Sequence, residues 1–160
     1  MDYTACLKKF PLLQGISDQD LSYLSTLLKE KKTKAGEDII KEGDSGSEMY
    51  ILTEGTVDII KTTVYGDPFI VATLDSEMHC VFGEMAMLDN DKRSATVRAK
   101  SDCRTLYIDR NNFDEFCNSH PDSGVKFLRL IGINLVRNIR SENNNLRLVY
   151  QALIEEIEKS

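Results

Sequence analysis

The chain of 160 residues has a mass of 18.1 kDa, 41% hydrophobic residues and a net charge of −6, which suits one domain with a buried core. An acidic chain with a pI near 5.0 and no basic stripe argues against a nucleic-acid surface. No run approaches the ~20 apolar residues of a membrane span, and no secretory leader is visible, so a cytoplasmic protein without membrane contact is expected.

Residues 1–30 are predicted to be an N-terminal helical segment that packs on the rest of the chain. Ser17 opens a capping-box-like start with Asp20 three residues later, and leucines follow at helical spacing at positions 21, 24, 27 and 28. Four lysines then cluster at positions 29, 31, 32 and 34. We interpret them as the solvated end of this helix, because cations interact favourably with a helix C-terminus.

The hydrophobic pattern changes from helical spacing to short runs at residue 31, and residues 31–120 are predicted to form a β-domain. Short apolar or alternating runs are separated by turn signals such as Gly43-Asp44-Ser45-Gly46 and Gly66-Asp67-Pro68. These runs occupy residues 38–41, 48–53, 56–62, 69–74, 94–99 and 103–108. Many short, closely spaced strands are typical of a sandwich or jelly roll, so the predicted fold class is α+β and mainly β.

The segment 82–95 carries the residues that suggest a ligand. The Glu84 carboxylate can accept hydrogen bonds from a sugar hydroxyl, and the Arg93 guanidinium can meet a phosphate with a planar fork of donors. Gly83 allows a ligand to approach the backbone, and the N–H groups at the start of the following helical turn attract an anion. Together these residue types fit a ribose joined to a cyclic phosphate.

Helical character returns after Asp109, breaks at His120-Pro121 and then continues, so residues 121–160 are a candidate lid and dimerisation segment. Alternating steps of three and four residues define a narrow stripe over about three heptads. This stripe, called the seam below, consists of Val136, Ile139, Asn143, Leu146, Tyr150, Leu153 and Ile157. The seam predicts a homodimer in which Asn143 fixes register and pairing number; the alternative is a helix that packs on its own domain.

The sequence resembles the cyclic-nucleotide-binding domains of the catabolite activator protein and of the regulatory subunits of cyclic-nucleotide-dependent kinases. The resemblance covers most of the chain and rests on several stretches, namely residues 10–17 with Leu21, 34–44, 49–57, 82–88 and 93–97. The last two stretches, Phe-Gly-Glu-Met-Ala-Met-Leu and Arg-Ser-Ala-Thr-Val, are similar to that family's phosphate-binding cassette. Agreement in order and spacing makes this match more specific than a single short motif.

The resemblance implies an eight-stranded β-roll, also described as a double-stranded β-helix or jelly roll, with helices at both ends. It assigns Glu84 to the ribose 2′-hydroxyl and Arg93 to the exocyclic oxygens of the cyclic phosphate. The further candidate ligand-binding residues are Gly83, Met85, Ala86, Ser94 and Ala95. In the family a later helix covers the base, and a threonine at the Ser94 position is associated with cGMP. The first expected ligand is therefore cAMP, and the second is cGMP.

The chain departs from the family pattern between Leu88 and Arg93. Where the family often has glycine and proline, this chain has Asp89-Asn90-Asp91-Lys92, which keeps the spacing and is itself suited to a turn. The two extra carboxylates are expected to weaken the attraction for an anion slightly. Met85 and Met87 have the alternative of packing in the core rather than contacting a ligand.

The expected function is a stand-alone sensor that signals to an unknown downstream protein through movement of the C-terminal helix. Two alternatives stay open. A degenerate roll, in which Glu84 and Arg93 form a structural ion pair, would be a dimerisation or interaction module, and a truncated transcription regulator would continue beyond residue 160. The four cysteines have no metal-ligand spacing and no catalytic motif is present, so we expect no metal, no cofactor and no enzymatic activity.

Overall fold

The computed structural model describes residues 2–159, so the outermost residue of the first and of the last predicted segment lies outside it. The N-terminal helical elements are α1 Thr4–Leu7, a 3-10 turn Pro11–Leu13 and α2 Asp18–Leu27. The strands are β1 Lys29–Thr33, β2 Asp38–Ile40, β3 Glu48–Glu54, β4 Thr56–Thr62, β5 Pro68–Asp75, β6 Val81–Phe82, β7 Thr96–Ala99 and β8 Cys103–Asp109. The remaining helices are α3 Glu84–Asp89, α4 Arg110–Ser119 and α5 Pro121–Glu158, with a second 3-10 turn at Ser76–Met78.

The eight strands form two antiparallel four-stranded sheets, ordered β1-β8-β3-β6 and β2-β7-β4-β5. Buried side chains from both sheets, among them Leu52 on β3 and Val57 on β4, meet in one apolar cluster between them. Helices precede the sheets and follow them. This arrangement confirms the predicted β-roll flanked by helices.

Strand β3 explains why part of the sequence is continuously apolar rather than alternating. Met49 and Ile51 point to a cluster shared with the helices, whereas Tyr50 and Leu52 point to the cluster between the sheets. Strand β3 is therefore covered on both faces of its sheet, and a strand buried on both faces needs apolar residues at successive positions.

The helices pack as one layer on the outer face of that sheet. Phe116 on α4 and Phe127 on α5 are fully buried, with ring centroids 6.2 Å apart. The predicted start of α2 is confirmed, because the Ser17 hydroxyl accepts a hydrogen bond from the Asp20 N–H at 3.1 Å. The predicted break at His120-Pro121 is also confirmed and separates α4 from α5.

The prediction that the lysine cluster closes a helix is wrong. Helix α2 ends at Leu27, and Lys29–Thr33 forms β1, which pairs antiparallel with β8. Pairing with β8 is a tertiary interaction and overrides the local helical signal. Strand β1 lies at the edge of its sheet and buries only Thr33, so its sequence lacks an apolar pattern that would reveal a strand.

Helix α5 extends well beyond the packed domain. Its buried residues are Ser123, Gly124, Phe127 and Ile131, and every residue from position 136 to position 159 is exposed. At 1.5 Å per residue the exposed part of the helix is roughly 35 Å long. Within residues 2–159, no helix combines the length and the apolar character needed to cross a bilayer.

Candidate functional site

The cassette begins where β6 ends and the short helix α3 starts. Gly83 separates the two elements with a φ of 83°, a left-handed conformation that glycine adopts without strain. A Cβ at this position would lie 2.8 Å from the Glu48 carbonyl oxygen and 3.0 Å from Arg93 Nη1. The glycine therefore allows the cassette backbone to contact the guanidinium directly.

Glu84, the first residue of α3, is only 7% exposed. Burial raises the pKa of its carboxyl group, and a hydrogen bond from its own backbone N–H partly opposes that shift. Among the described residues, no cation and no other side chain pairs with this carboxyl. A buried acceptor of this kind is suited to a hydroxyl donor from outside the chain.

Arg93 is buried among backbone carbonyls. Its Nη1 donates to the carbonyl oxygens of Glu48 at 2.8 Å and Gly83 at 3.2 Å, and its Nη2 donates to Glu48 Oε2 at 2.8 Å. The centre of the guanidinium lies 6.0 Å from the centroid of the Tyr50 ring. Nε and the second N–H of Nη2 have no acceptor among the described residues, so two donors remain for an anion.

The alternative in which Glu84 and Arg93 pair with each other is wrong. The carboxylate that pairs with Arg93 belongs to Glu48, 45 residues away in the sequence at the start of β3. Sequence reasoning missed Glu48 because it is a single acid after a polar turn. Its role depends on which strand lies beside the cassette.

The other candidate residues differ in accessibility. Ala86 is buried, Ala95 is half-buried and Ser94 is exposed. Met85 is 49% exposed and is not a core residue, whereas Met87 is fully buried in the cluster beneath the helices. The core alternative is therefore confirmed for Met87 and wrong for Met85. The proposed contacts of these residues with a ligand stay predictions.

Arg110, which begins α4, holds the C-terminal end of the cassette helix. Its Nε donates to the Met87 carbonyl at 2.7 Å and its Nη2 to the Ala86 carbonyl at 3.5 Å. A cation near the last carbonyls of a helix is favourable, because they carry the negative end of the helix dipole. Arg110 was not predicted from the sequence. Together with the buried Met87, it connects the cassette to the helices that follow the roll.

The turn that departs from the family pattern is well formed. Asn90 adopts a left-handed conformation with φ of 60°, and the Asp91 N–H donates to Asp89 Oδ1 at 3.0 Å. Both aspartates are exposed to solvent. The interpretation of this segment as a turn is confirmed.

Two surface clefts lie away from the cassette. One of about 410 Å³ runs between α5 and residues 74–81, and one of about 230 Å³ lies beside β1 and β8. None of the candidate ligand-binding residues lines either cleft. The candidate binding site is therefore defined by the chemistry of the cassette and not by a cleft.

Replacing Glu84 with glutamine is expected to raise the melting temperature of the ligand-free protein near neutral pH. The folded-state pKa is raised, so ionisation of this carboxyl destabilises the fold, and stability falls as pH rises from the ordinary glutamate pKa of 4.5 through the raised value. Glutamine removes that dependence. Thermal unfolding between about pH 5 and 8 should show a difference from wild type that grows with pH.

The matched control for this prediction is Asp89→Asn, which removes an exposed acid from the same helix. It should leave the melting temperature nearly unchanged. A Glu84→Gln protein that is less stable than wild type, or whose difference is the same at every pH, would show that burial of the charge is not the cause.

Comparison with known proteins identifies relatives for most of the chain. A family model described as the cyclic nucleotide-binding domain matches residues 30–120. The cAMP-dependent protein kinase regulatory subunit of Dictyostelium discoideum is 32% identical over 117 residues, which are 72% of this chain and 36% of that protein. The cGMP-dependent protein kinase 2 of Mus musculus is 32% identical over 116 residues, 71% of this chain and 15% of that protein.

A solved structure supports the same relationship. The regulatory domain of Toxoplasma gondii PKA, crystallised with cAMP, has a TM-score of 0.64 and 29% identity, covering 71% of this chain and 42% of that one. The match to the Dictyostelium relative spans 36% of that protein's length, about a third. Each match covers less than half of the longer protein or chain.

Proposed function

The chain belongs to the cyclic nucleotide-binding domain family, and from this membership we propose that it is a sensor domain that binds cAMP. The observation that carries the proposal is a pair of buried groups in one cassette. Within residues 2–159, Glu84 offers a buried acceptor with no cation beside it, and Arg93 offers a buried cation with two unused donors. A ribose hydroxyl next to a cyclic phosphate supplies one partner for each.

In this proposal the ribose 2′-hydroxyl donates to the Glu84 carboxylate, and the exocyclic phosphate oxygens accept from Arg93. The backbone N–H groups of Gly83, Glu84, Ala86 and Ala95 and the hydroxyl of Ser94 are the further proposed contacts. Support comes from the geometry at Gly83, whose carbonyl accepts from Arg93 at 3.2 Å and which directly precedes Glu84. The two charged groups thus belong to one compact segment.

The proposed order of ligands is cAMP before cGMP. A serine at position 94, rather than a threonine, supports this order through the family resemblance. The relatives include both a cAMP-dependent regulatory subunit and a cGMP-dependent kinase. Direct comparison of the two nucleotides is therefore part of the test.

Calorimetric titration of the full chain with cAMP and with cGMP tests the proposal. We expect binding in the micromolar range or tighter, with cAMP the stronger ligand. Absence of heat with either nucleotide, in folded protein freed of any co-purified nucleotide, would favour a degenerate roll that works as an interaction module. Tighter binding of cGMP would keep the sensor function and reverse the ligand order.

We further propose that the sensor is a homodimer paired through the seam of α5. The six apolar seam residues are between 47% and 66% exposed, although they recur at the spacing of a two-helix interface. Exposed apolar side chains in such a stripe are stabilised when a second helix covers them. The same exposure supports the alternative in which dimerisation is the main role of the chain.

The proposed signal passes from the cassette to α5 and then to an unknown downstream protein. Met87 packs among the helices, and Arg110 donates hydrogen bonds from α4 to the cassette carbonyls. In this proposal a displacement of α3 therefore displaces the base of α5. The ligand can shift the position of α5 only by its difference in affinity between two states. A regulatory role without catalysis and a cytoplasmic location remain parts of this proposal.

A further inference from the structure

The guanidinium that the proposed function assigns to the ligand phosphate already holds an anion from its own chain. We propose that the Glu48 side chain is a built-in competitor for the phosphate and limits the affinity of the site; this inference rests on the proposed function. Glu48 Oε2 lies 2.8 Å from Arg93 Nη2 and also accepts from the Ser47 N–H at 3.1 Å. The carboxylate therefore occupies one N–H of Nη2, directly beside the two donors that remain for a phosphate, and it offsets the positive charge that would attract one.

The Glu48 carboxylate is not needed to hold the arginine in place. Two backbone carbonyls, those of Glu48 and Gly83, accept from Nη1 and fix the guanidinium whatever the side chain at position 48 does. The glutamate side chain is 33% exposed, whereas that of Arg93 is 5% exposed. The Glu48 carboxylate can therefore move into water, whereas the Arg93 guanidinium stays buried in its position.

Electrostatics gives the direction of the effect. A phosphate that binds Arg93 either stands beside a carboxylate of like charge or displaces it from two hydrogen bonds, and both events weaken binding. Gly46 leaves room at the same edge of the guanidinium, because a Cβ there would lie 2.8 Å from Nη2 and 3.1 Å from Glu48 Oε2. The open edge of Arg93 is therefore bounded by a glycine and by the competing carboxylate.

The test is the isosteric change Glu48→Gln, titrated with cAMP and with cGMP beside wild type. Glutamine keeps the backbone carbonyl and the shape of the side chain and removes the charge. We expect binding at least ~10-fold tighter, which corresponds to about 1.4 kcal/mol. Glu54→Gln is the matched control, because Glu54 ends the same strand and pairs with Arg104 at 3.2 Å on the surface.

Salt dependence provides a second readout that a purely structural role would not change. Without the carboxylate the site has a larger net positive charge, so the affinity of Glu48→Gln should fall more steeply than that of wild type as NaCl is raised from about 50 to 500 mM. Thermal unfolding checks that the variant is folded. Equal salt slopes together with equal affinity would overturn the proposal.

The possible results separate this inference from the proposed function. If wild type binds a cyclic nucleotide and Glu48→Gln binds it more tightly, both the sensor function and the competitor role are supported. If only Glu48→Gln binds, the competitor role has its most direct support. Wild type that binds with an equal or weaker variant overturns the competitor role and leaves the sensor function intact. Failure of both proteins to bind either nucleotide overturns both, because removal of the competitor should have revealed the site.

Discussion

Replacing Arg93 with alanine is expected to weaken cAMP binding at least ~100-fold. The change removes the two donors that remain free for the phosphate, and hydrogen bonds to charged groups contribute about 1.5–3 kcal/mol each. Two such bonds correspond to a hundredfold loss or more, since about 1.4 kcal/mol is tenfold. Calorimetry on wild type and variant at the same salt concentration measures the difference.

Arg98→Ala is the control for the loss of a positive charge. Arg98 lies on β7 with its side chain at the surface, where its Nε donates to Asp38 Oδ1 at 2.7 Å. Its removal should change affinity by less than about threefold, because exposed charges are screened by water and salt. An Arg93→Ala protein that is folded and binds as tightly as wild type would show that the phosphate site is assigned to the wrong residue.

Replacing Leu146 with aspartate is expected to convert a homodimer into single chains of 18.1 kDa. Leu146 occupies the middle of the seam, where its side chain would be enclosed by the paired helix. Aspartate at this position would place two charges in an apolar interface without partners, which is strongly unfavourable. Sedimentation at micromolar concentration distinguishes the two masses.

The control is Leu148→Asp, two residues along the same exposed helix. Leu148 is also exposed, and it points away from the seam because residues two apart lie on different sides of a helix. This variant should therefore remain a dimer. A wild-type protein that sediments as one chain at these concentrations would contradict the paired seam.

Charges beside the seam further specify how the two helices would pair. With Asn143 at an a position, Glu142 takes the g position and Arg147 the e position of the next heptad. In a parallel pair, Glu142 of one helix meets Arg147 of the other, whereas an antiparallel pair places g beside g and e beside e and loses this attraction. The sequence therefore favours a parallel dimer, in which both sensor domains lie at the same end.

Much of the fold was predictable because most strands have a local signal. The predicted runs 48–53, 56–62 and 103–108 agree with β3, β4 and β8 to within one residue. Strand β1 was not predicted, because Lys29, Glu30 and Lys32 are exposed and the strand has no apolar pattern, so that only its pairing with β8 makes it a strand. Strand β6 has two residues, which is too short to produce any pattern.

The candidate site was predictable only in part, for a different reason. Glu84, Gly83 and Arg93 belong to one local motif, and their spacing is visible in the sequence. Glu48 and Arg110 act on the cassette across 45 and 23 residues, so their roles depend on how strands and helices pack. A buried arginine is stabilised by an anionic partner, and the tertiary structure determines that Glu48 is the acid that pairs with it.

The length of α5 turns small displacements at its base into large ones at its far end. The helix is anchored by Phe127 and Ile131, and its exposed part from position 136 onward is about 35 Å long. Measured from Ile131 to Glu158, the lever arm is about 40 Å, so a rotation of about 10° carries its tip about 7 Å. A shift at the cassette that is smaller than the width of a water molecule would therefore be amplified along α5. It would reposition a partner bound at the last turns of the helix.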